Sequence, residues 1–294
     1  RALRHGAGRD VPSAGASTER TGSVQREVDI MATNDHSSVS IDALPPAAMA
    51  LACVDAGVAK AGRDTLTLVL LGILAGAFIA LGAIAMVTVM TGASGMPWGM
   101  ARLVGGIAFS IGLILVIVGG AELFTGDCLM VVGWASRRIG LTALLRAWAL
   151  VYIGNLLGAL ATAGLVFLSG HYRLAGGLVG ATVLGIANAK ASLPAFPLFF
   201  LAVLCNVLVC LAVWMSLSAR NTMDKIMVIV PCVAVFVAAG FEHSIANAFL
   251  FPYALLIKGG AGPDFWALAS LAPAQFEALN ASSGICNVLI ATVG

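Results

Sequence analysis

The chain has 294 residues, of which 60% are hydrophobic and only 10% are charged, and its mean hydropathy is +0.99. This composition excludes an ordinary soluble globular domain. The formal charge of +2 comes from scattered basic residues, without the basic patch typical of nucleic-acid binding. We therefore expect an all-α, multi-pass membrane protein with the lipid bilayer as a partner and no nucleic acid.

The first residues are polar and precede the apolar part of the chain. Residues 1–30 are rich in Arg, Gly and Ser and lack the apolar core of a signal peptide, whereas Met31 opens a segment typical of a natural start. We interpret residues 1–30 as a disordered leader or a remnant of cloning, and residues 31–63 as a cytoplasmic N-terminal segment. Two prolines precede residues 47–61, which predicts a short amphipathic helix there.

Residues 64–294 are predicted to form the transmembrane domain. Its six apolar units are residues 65–90, 102–136, 144–169, 192–218, 226–257 and a last unit that begins near Ser283. A helix needs about 20 apolar residues to cross a bilayer core, so the first five units are long enough. Residues 283–294 rise only about 18 Å at 1.5 Å per residue, and we expect the sixth helix to be truncated.

The second and fifth units are interrupted by glycine and polar residues. Gly119 to Asp127 interrupts the second unit, and Gly240 to Asn247 interrupts the fifth. Each interrupted unit is the middle one of three, and an odd number of spans gives the two halves opposite orientations. The sequence therefore predicts an inverted 3+3 repeat with a pathway between the two interruptions.

The acidic residues of these interruptions must be buried in protein, because lipid satisfies neither charges nor free backbone groups. For Glu122 and Glu242 we favour a bracing role, in which each accepts hydrogen bonds from the free N–H groups of its own break, over contact with a substrate. Asp127 is predicted to be an N-cap for a half-helix that begins at Cys128. His243, a titratable ring beside freed amides, indicates a proton or anion site.

The remaining side chains indicate neither a metal nor a cofactor. The six cysteines lack the close Cys and His spacing of a metal site, so we expect free thiols, with no metal and no cofactor. Phe109 and Leu113 lie four residues apart on one helical face. They could exclude hydrated ions from a pore, although ordinary helix packing gives the same spacing.

The distribution of basic residues favours an N-terminus on the cytoplasmic side. With that orientation the inner side carries Lys60, Arg63, Arg137, Arg138, Arg146, Arg220 and Lys225, and the outer side carries Arg102, Arg173, Lys190 and Lys258.

Several segments closely resemble the signature segments of the formate/nitrite transporter family. They are Gly-Ala-Glu-Leu-Phe-Thr-Gly at 120–126, Cys-Asn-Val-Leu-Val-Cys-Leu-Ala-Val-Trp-Met-Ser at 205–216, Gly-Phe-Glu-His-Ser-Ile-Ala-Asn at 240–247, Leu-Pro-Pro-Ala-Ala-Met-Ala at 44–50 and Met-Pro-Trp-Gly-Met-Ala-Arg-Leu-Val-Gly-Gly at 96–106. The resemblance extends from Leu44 to the end of the chain. Residues 44–50 and 220–225 are more similar to the formate channels than to the nitrite branch.

The resemblance implies a homopentamer of aquaporin-like six-helix protomers in a bacterial cytoplasmic membrane, each with its own pore for formate and similar small monovalent anions. It also implies roles for single residues. The pore residues are His243 at the centre, Thr125 hydrogen-bonded towards it, Asn206 near the pore and Lys190 at the outer mouth. The constrictions are Leu113 and Leu123 on the inner side and Phe109 and Phe236 on the outer side. Asp127 stands where some relatives have Ser, Asn or His.

The resemblance leads to a transport hypothesis in which protons are a second partner. Formate enters as the anion, takes a proton at or near His243, and crosses the constrictions as the neutral acid, with His243 as donor or relay. The alternatives are a nitrite or hydrosulfide channel of the same family and an aquaporin-like pore for neutral solutes. An intramembrane enzyme that uses Glu242, His243 and Ser244 is disfavoured, because three consecutive side chains rarely converge on one substrate.

Overall fold

A computed structural model describes residues 42–294 of the chain. The predicted leader, residues 1–30, and residues 31–41 of the N-terminal segment lie outside the described residues. The helices of the described part are α1 (Pro46–Ala61), α2 (Thr65–Met90), α3 (Trp98–Gly119), α4 (Phe124–Asp127), α5 (Met130–Ala135), α6 (Leu141–Leu168), α7 (Leu178–Ala191), α8 (Ala195–Ser216), α9 (Thr222–Ala239), α10 (Ser244–Gly260), α11 (Pro263–Ala269) and α12 (Ala281–Val293). Short 3-10 turns lie at Ala93–Gly95, His171–Arg173 and Pro273–Phe276.

The described residues contain six helical segments long and apolar enough to cross a membrane. They are α2, α3, α6, α8, α9 and the segment Pro273–Val293, which includes α12. The second and fifth units are interrupted where the sequence predicts it, between α3 and α4 and between α9 and α10. The predicted fold class, an all-α membrane protein with six spans and two broken helices, is confirmed.

The two halves of the described chain repeat one order of elements. In the first half, the short helix α1 precedes the span α2, and in the second half the short helix α7 precedes the span α8. In each half, an interrupted span and a third span follow. Because three crossings separate α1 from α7, these two short helices lie at opposite faces of the membrane. We name the two faces the α1 side and the α7 side.

Both interruptions are produced by the same backbone device. The helix before each break ends at a left-handed glycine, Gly120 with φ 76° and Gly240 with φ 78°. Glycine adopts this conformation without the steric cost that a side chain adds. The chain is then extended at Leu123 and His243, directly before α4 and α10.

Two helices, α7 and α11, lie where the sequence predicts none, and α7 is the longer of them. The sequence analysis leaves residues 170–191 between the third and fourth apolar units, whereas the structure has a helix from Leu178 to Ala191. A helix of 14 residues is shorter than a span, so the search for crossing segments misses it. It occupies in the second half the place that α1 occupies in the first.

The helices of the described part approach closely where both carry small residues. A Cβ atom added to Gly158 of α6 would overlap the backbone oxygen of Ile73 in α2, and one added to Gly76 would overlap the oxygen of Asn155. In lipid, such close backbone contact is a main source of helix association, because burial of apolar surface contributes little.

The crossing of α2 and α6 gives a stability prediction. Gly158→Ala should destabilise the protein by about 2 kcal/mol or more, because backbone atoms must move to admit the methyl group. Gly164→Ala, on the same helix, should be neutral or slightly stabilising, since no atom lies within 4 Å of its added Cβ. Thermal unfolding in detergent compares the two variants, and equal melting temperatures would contradict the proposed contact.

Candidate functional site

The two breaks meet at Thr125 and His243. Thr125 Oγ1 lies 3.2 Å from His243 Nε2, and both side chains are buried. His243 is also the N-cap of α10, where its Nδ1 accepts the backbone N–H of Ala246 at 3.1 Å. A nitrogen that accepts this bond carries no proton, so the hydrogen bonds assign the neutral tautomer with its proton on Nε2. His243 therefore presents an N–H donor towards Thr125.

Apolar side chains surround this polar pair. The Phe109 and Phe236 rings are in edge contact, with centroids 5.6 Å apart, and their centroids lie 6.5 Å and 6.0 Å from that of His243. Leu113 and Leu123 are each 2% exposed and belong to the same buried cluster as the two phenylalanines. The four residues predicted as constrictions thus lie in the apolar core that encloses the Thr125–His243 pair.

A small cavity lies beside the pair. It has a volume of about 10 Å³, and Thr125, Asn206, His243 and Ser244 are among its lining residues. The buried Ser244 Oγ has no hydrogen-bond partner among the described residues. Asn206 Oδ1 lies 3.9 Å from Cys210 Sγ. The structure therefore brings three of the four predicted pore residues, Thr125, Asn206 and His243, to one place.

The fourth predicted pore residue, Lys190, lies in the wall of a larger cavity that we name the α7-side vestibule. This cavity has a volume of about 70 Å³, and its lining includes Arg102, Phe109, Lys190, Phe236 and His243. Lys190 Nζ lies 2.7 Å from both carboxylate oxygens of Glu242, whose Oε2 also accepts a hydrogen bond from Asn247 Nδ2 at 2.7 Å. The charge of Lys190 is thus compensated inside the protein.

Arg102 is a vestibule residue that the sequence analysis did not include among the pore residues. Its Nε and Nη2 donate to the carbonyl oxygens of Ala238 and Val237, at 3.1 Å and 2.6 Å, and its guanidinium lies 5.3 Å from the Trp98 ring centroid. Its only sequence signal is a basic residue within the signature segment 96–106.

A matching group of charges lies on the α1 side, and we name Lys60, Arg63, Glu122 and Asp127 the α1-side cluster. Lys60 Nζ is 2.6 Å from Glu122 Oε2 and 2.5 Å from Asp127 Oδ1, and Arg63 Nη1 pairs with Glu122 Oε1. Burial acts to lower the pKa of the Lys60 ammonium, but Asp127 and Glu122 outweigh it, so the pKa lies above its ordinary value. Lys60 therefore stays charged at neutral pH.

The cluster corrects the prediction for Asp127. The half-helix begins at Phe124 rather than Cys128, and its N-cap, Leu123, makes no side-chain capping bond. Asp127 lies at the end of α4, where it cannot cap the start of that helix, and its carboxylate forms an ion pair with Lys60. Its Oδ2 is buried and has no hydrogen-bond partner among the described residues.

The bracing prediction for the glutamates also needs a correction in its partners. The Glu122 carboxylate binds Lys60 and Arg63, and the Glu242 carboxylate binds Lys190 and Asn247, rather than the N–H groups of the breaks. The backbone N–H of Glu122 donates to the carbonyl oxygen of Leu71 in α2 at 3.2 Å. The backbone N–H of Glu242 donates to the carbonyl oxygen of Leu201 in α8 at 3.3 Å. Each carboxylate binds a lysine that is distant in the sequence, so local spacing could not predict the pair.

Asn155 completes the first break. Its Oδ1 accepts from the Phe124 N–H at 2.9 Å, and its Nδ2 donates to the carbonyl oxygens of Gly72 and Glu122 at 2.8 Å and 2.9 Å. The side chain is fully buried. A single asparagine within the apolar unit 144–169 is the sequence signal that could have identified it, because an amide in a membrane span needs protein partners.

The buried pair on the α7 side gives a stability prediction. Lys190→Met should destabilise the protein by about 3–5 kcal/mol, because Glu242 would remain as a buried charge without its cation. Adding Glu242→Gln to that variant should recover most of the loss, since the remaining group is neutral. Thermal unfolding of both single variants and the double variant forms the cycle, and additive losses would show that the pair is not coupled.

The sequence was compared with known families and proteins. The sequence profile described as formate/nitrite transporter matches residues 47–294. The formate channel FocA of Escherichia coli K12 is 47% identical over 254 residues, which cover 86% of this chain and 89% of that protein. The formate channel FocA of Haemophilus influenzae is 36% identical over 221 residues, which cover 75% and 78% of the two chains.

A structure described as a pentameric formate channel with formate bound superposes with a TM-score of 0.75 at 41% sequence identity. The match covers 78% of this chain and 90% of that one.

Proposed function

This chain belongs to the formate/nitrite transporter family, and we propose that it carries formate and similar small monovalent anions across the membrane through a pore centred on His243. The family expectation from the signature segments is thereby confirmed. The relatives are channels by name, so the intramembrane-enzyme alternative gains no support. The observation that supports the pore most directly is the meeting of the two breaks at Thr125 and His243.

The substrate and assembly follow from the relatives. Formate is the substrate named for both curated relatives, and the superposed structure is a pentamer with formate bound. A homopentamer with one pore in each protomer is therefore our proposal for this chain. Following the distribution of basic residues, the N-terminus and the α1 side face the cytoplasm of a bacterial cell, and the α7 side faces outward.

The buried surroundings of His243 limit the form in which formate crosses. Moving an isolated carboxylate into a medium of low dielectric costs on the order of 20 kcal/mol before relaxation. The phenylalanines and leucines around the centre offer no charge to offset that cost, whereas Thr125 and His243 offer hydrogen bonds. Formate therefore passes the apolar constrictions as formic acid and exchanges its proton near the centre.

The hydrogen bond by which His243 caps α10 limits how this residue can transfer a proton to formate. The neutral ring can donate a hydrogen bond from Nε2, but it releases a proton only after it has become an imidazolium. The second proton would occupy Nδ1 and displace the Ala246 N–H. If His243 is the proton donor, each such step therefore passes through a state in which the cap of α10 is broken.

Two substitutions at His243 separate titration from capping. His243→Phe removes both functions and should lower formate uptake at acidic pH at least tenfold. His243→Asn keeps a good N-cap for α10 but cannot titrate, so it should fold like the native protein and lose the part of the pH dependence between about 5 and 8 that comes from titration of the ring.

Proteoliposome uptake of labelled formate across that pH range measures both variants, and protein without substitution is the control. An unchanged pH profile in either variant would refute proton exchange at His243. Nitrite, hydrosulfide and glycerol in the same vesicles test the other substrates, and a faster flux of glycerol than of formate would favour the neutral-solute pore.

A further inference from the structure

The α7-side vestibule carries more positive than negative charge. Of its lining residues, Arg102, Lys190 and His243 are titratable. Lys190 is held at 2.7 Å by both oxygens of Glu242, and His243 is neutral in the tautomer that its hydrogen bonds assign. Arg102 has no carboxylate among its described partners, which are the carbonyl oxygens of Val237 and Ala238 and the Trp98 ring.

At the opposite mouth, the ion-paired side chains balance one another in charge. In the α1-side cluster, the cations Lys60 and Arg63 are matched by the carboxylates Glu122 and Asp127, all linked by ion pairs. The α7 side has the corresponding Lys190–Glu242 pair, but there the second cation, Arg102, forms no ion pair with a carboxylate and feels the Glu242 charge only at longer range. Arg102, Lys190 and Glu242 together therefore carry about one net positive charge, which a vestibule with apolar walls focuses on approaching anions.

The position of Arg102 places this charge over the second break. The Arg102 Nη2 lies 3.3 Å from the position of a Cβ added to Gly240, the left-handed residue that ends α9. A guanidinium group has five N–H donors, and two of its nitrogens bind the α9 carbonyls through one bond each. Three N–H donors are left for a carboxylate that enters the cavity.

We propose that Arg102 is the group that captures the substrate anion in the α7-side vestibule, before the anion reaches His243. The proposal rests on the proposed transport of formate and adds the residue that binds the charged form. Lys190, already paired with Glu242, then serves to hold the break, and Arg102 supplies the attraction that a small carboxylate feels at this mouth.

The test compares formate influx into proteoliposomes at ionic strengths of about 0.01 M and about 1 M, between which the Debye length falls from about 30 Å to about 3 Å. At trace formate and low salt, Arg102→Gln should lower influx at least threefold, and Arg102→Lys should retain most of it because the charge is kept. At high salt, the differences among the three proteins should become smaller, since screening weakens the attraction that acts on an anion at a distance.

Arg173→Gln is the matched control. Arg173 also lies over an aromatic ring, 5.6 Å from the Tyr172 ring centroid, but it is exposed in the turn after α6 and does not line the vestibule. Its substitution should change influx less than twofold at either ionic strength.

The salt dependence separates capture from a bracing role of Arg102 on the α9 carbonyls. A bracing role alone would make Arg102→Gln lower influx equally at low and high salt, and that result would overturn the proposal. Influx of Arg102→Gln equal to that of the native protein at low salt would overturn it as well. Absence of formate influx in the native protein would instead refute the proposed function.

Discussion

The pairing of a buried carboxylate with a lysine at each helix break is the interaction on which the rest of the pore depends. Lys60 reaches Glu122 from the end of α1, and Lys190 reaches Glu242 from the end of α7. Broken backbone and charge are both costly in a membrane unless protein groups satisfy them. The two short helices, neither of them a span, thus supply the cations that allow α3 and α9 to stop inside the protein.

With the charges paired at both ends, the centre is left almost apolar. The extended residues after the two glycines place Leu123 and His243 at matching positions, yet one is a leucine and the other a titratable ring. The inverted repeat therefore yields a pore with similar backbone at both breaks and different chemistry in its two halves. Thr125 is the polar partner that the first break supplies to His243. Under the proposed function, passage through this centre is restricted to molecules that are small and neutral, or that become neutral there.

The apolar runs and the two interruptions are sufficient to predict the six spans and the inverted repeat, while the role of His243 stays a prediction. Hydropathy is a property of consecutive residues, so it identifies crossing segments directly. It says nothing of α7, which is too short to cross, or of the partners of Glu122, which come from a helix some sixty residues earlier. Sequence spacing indicates local partners only, so it predicts a capping role for Asp127. Tertiary packing instead brings Lys60 to this carboxylate. The sequence predicts only an outer position for Arg102, and its contacts with the α9 carbonyls and the Trp98 ring depend on tertiary packing.

The central claim is that formate crosses the apolar constrictions as the neutral acid. Its most direct measurement is formate flux into proteoliposomes at fixed pH while a potassium gradient with valinomycin imposes a membrane potential. A potential of 100 mV is worth about 2.3 kcal/mol for one charge moved across the membrane. We expect a flux that is insensitive to this potential, with one proton taken up for each formate. A formate flux that follows the potential, without accompanying protons, would contradict passage as the neutral acid.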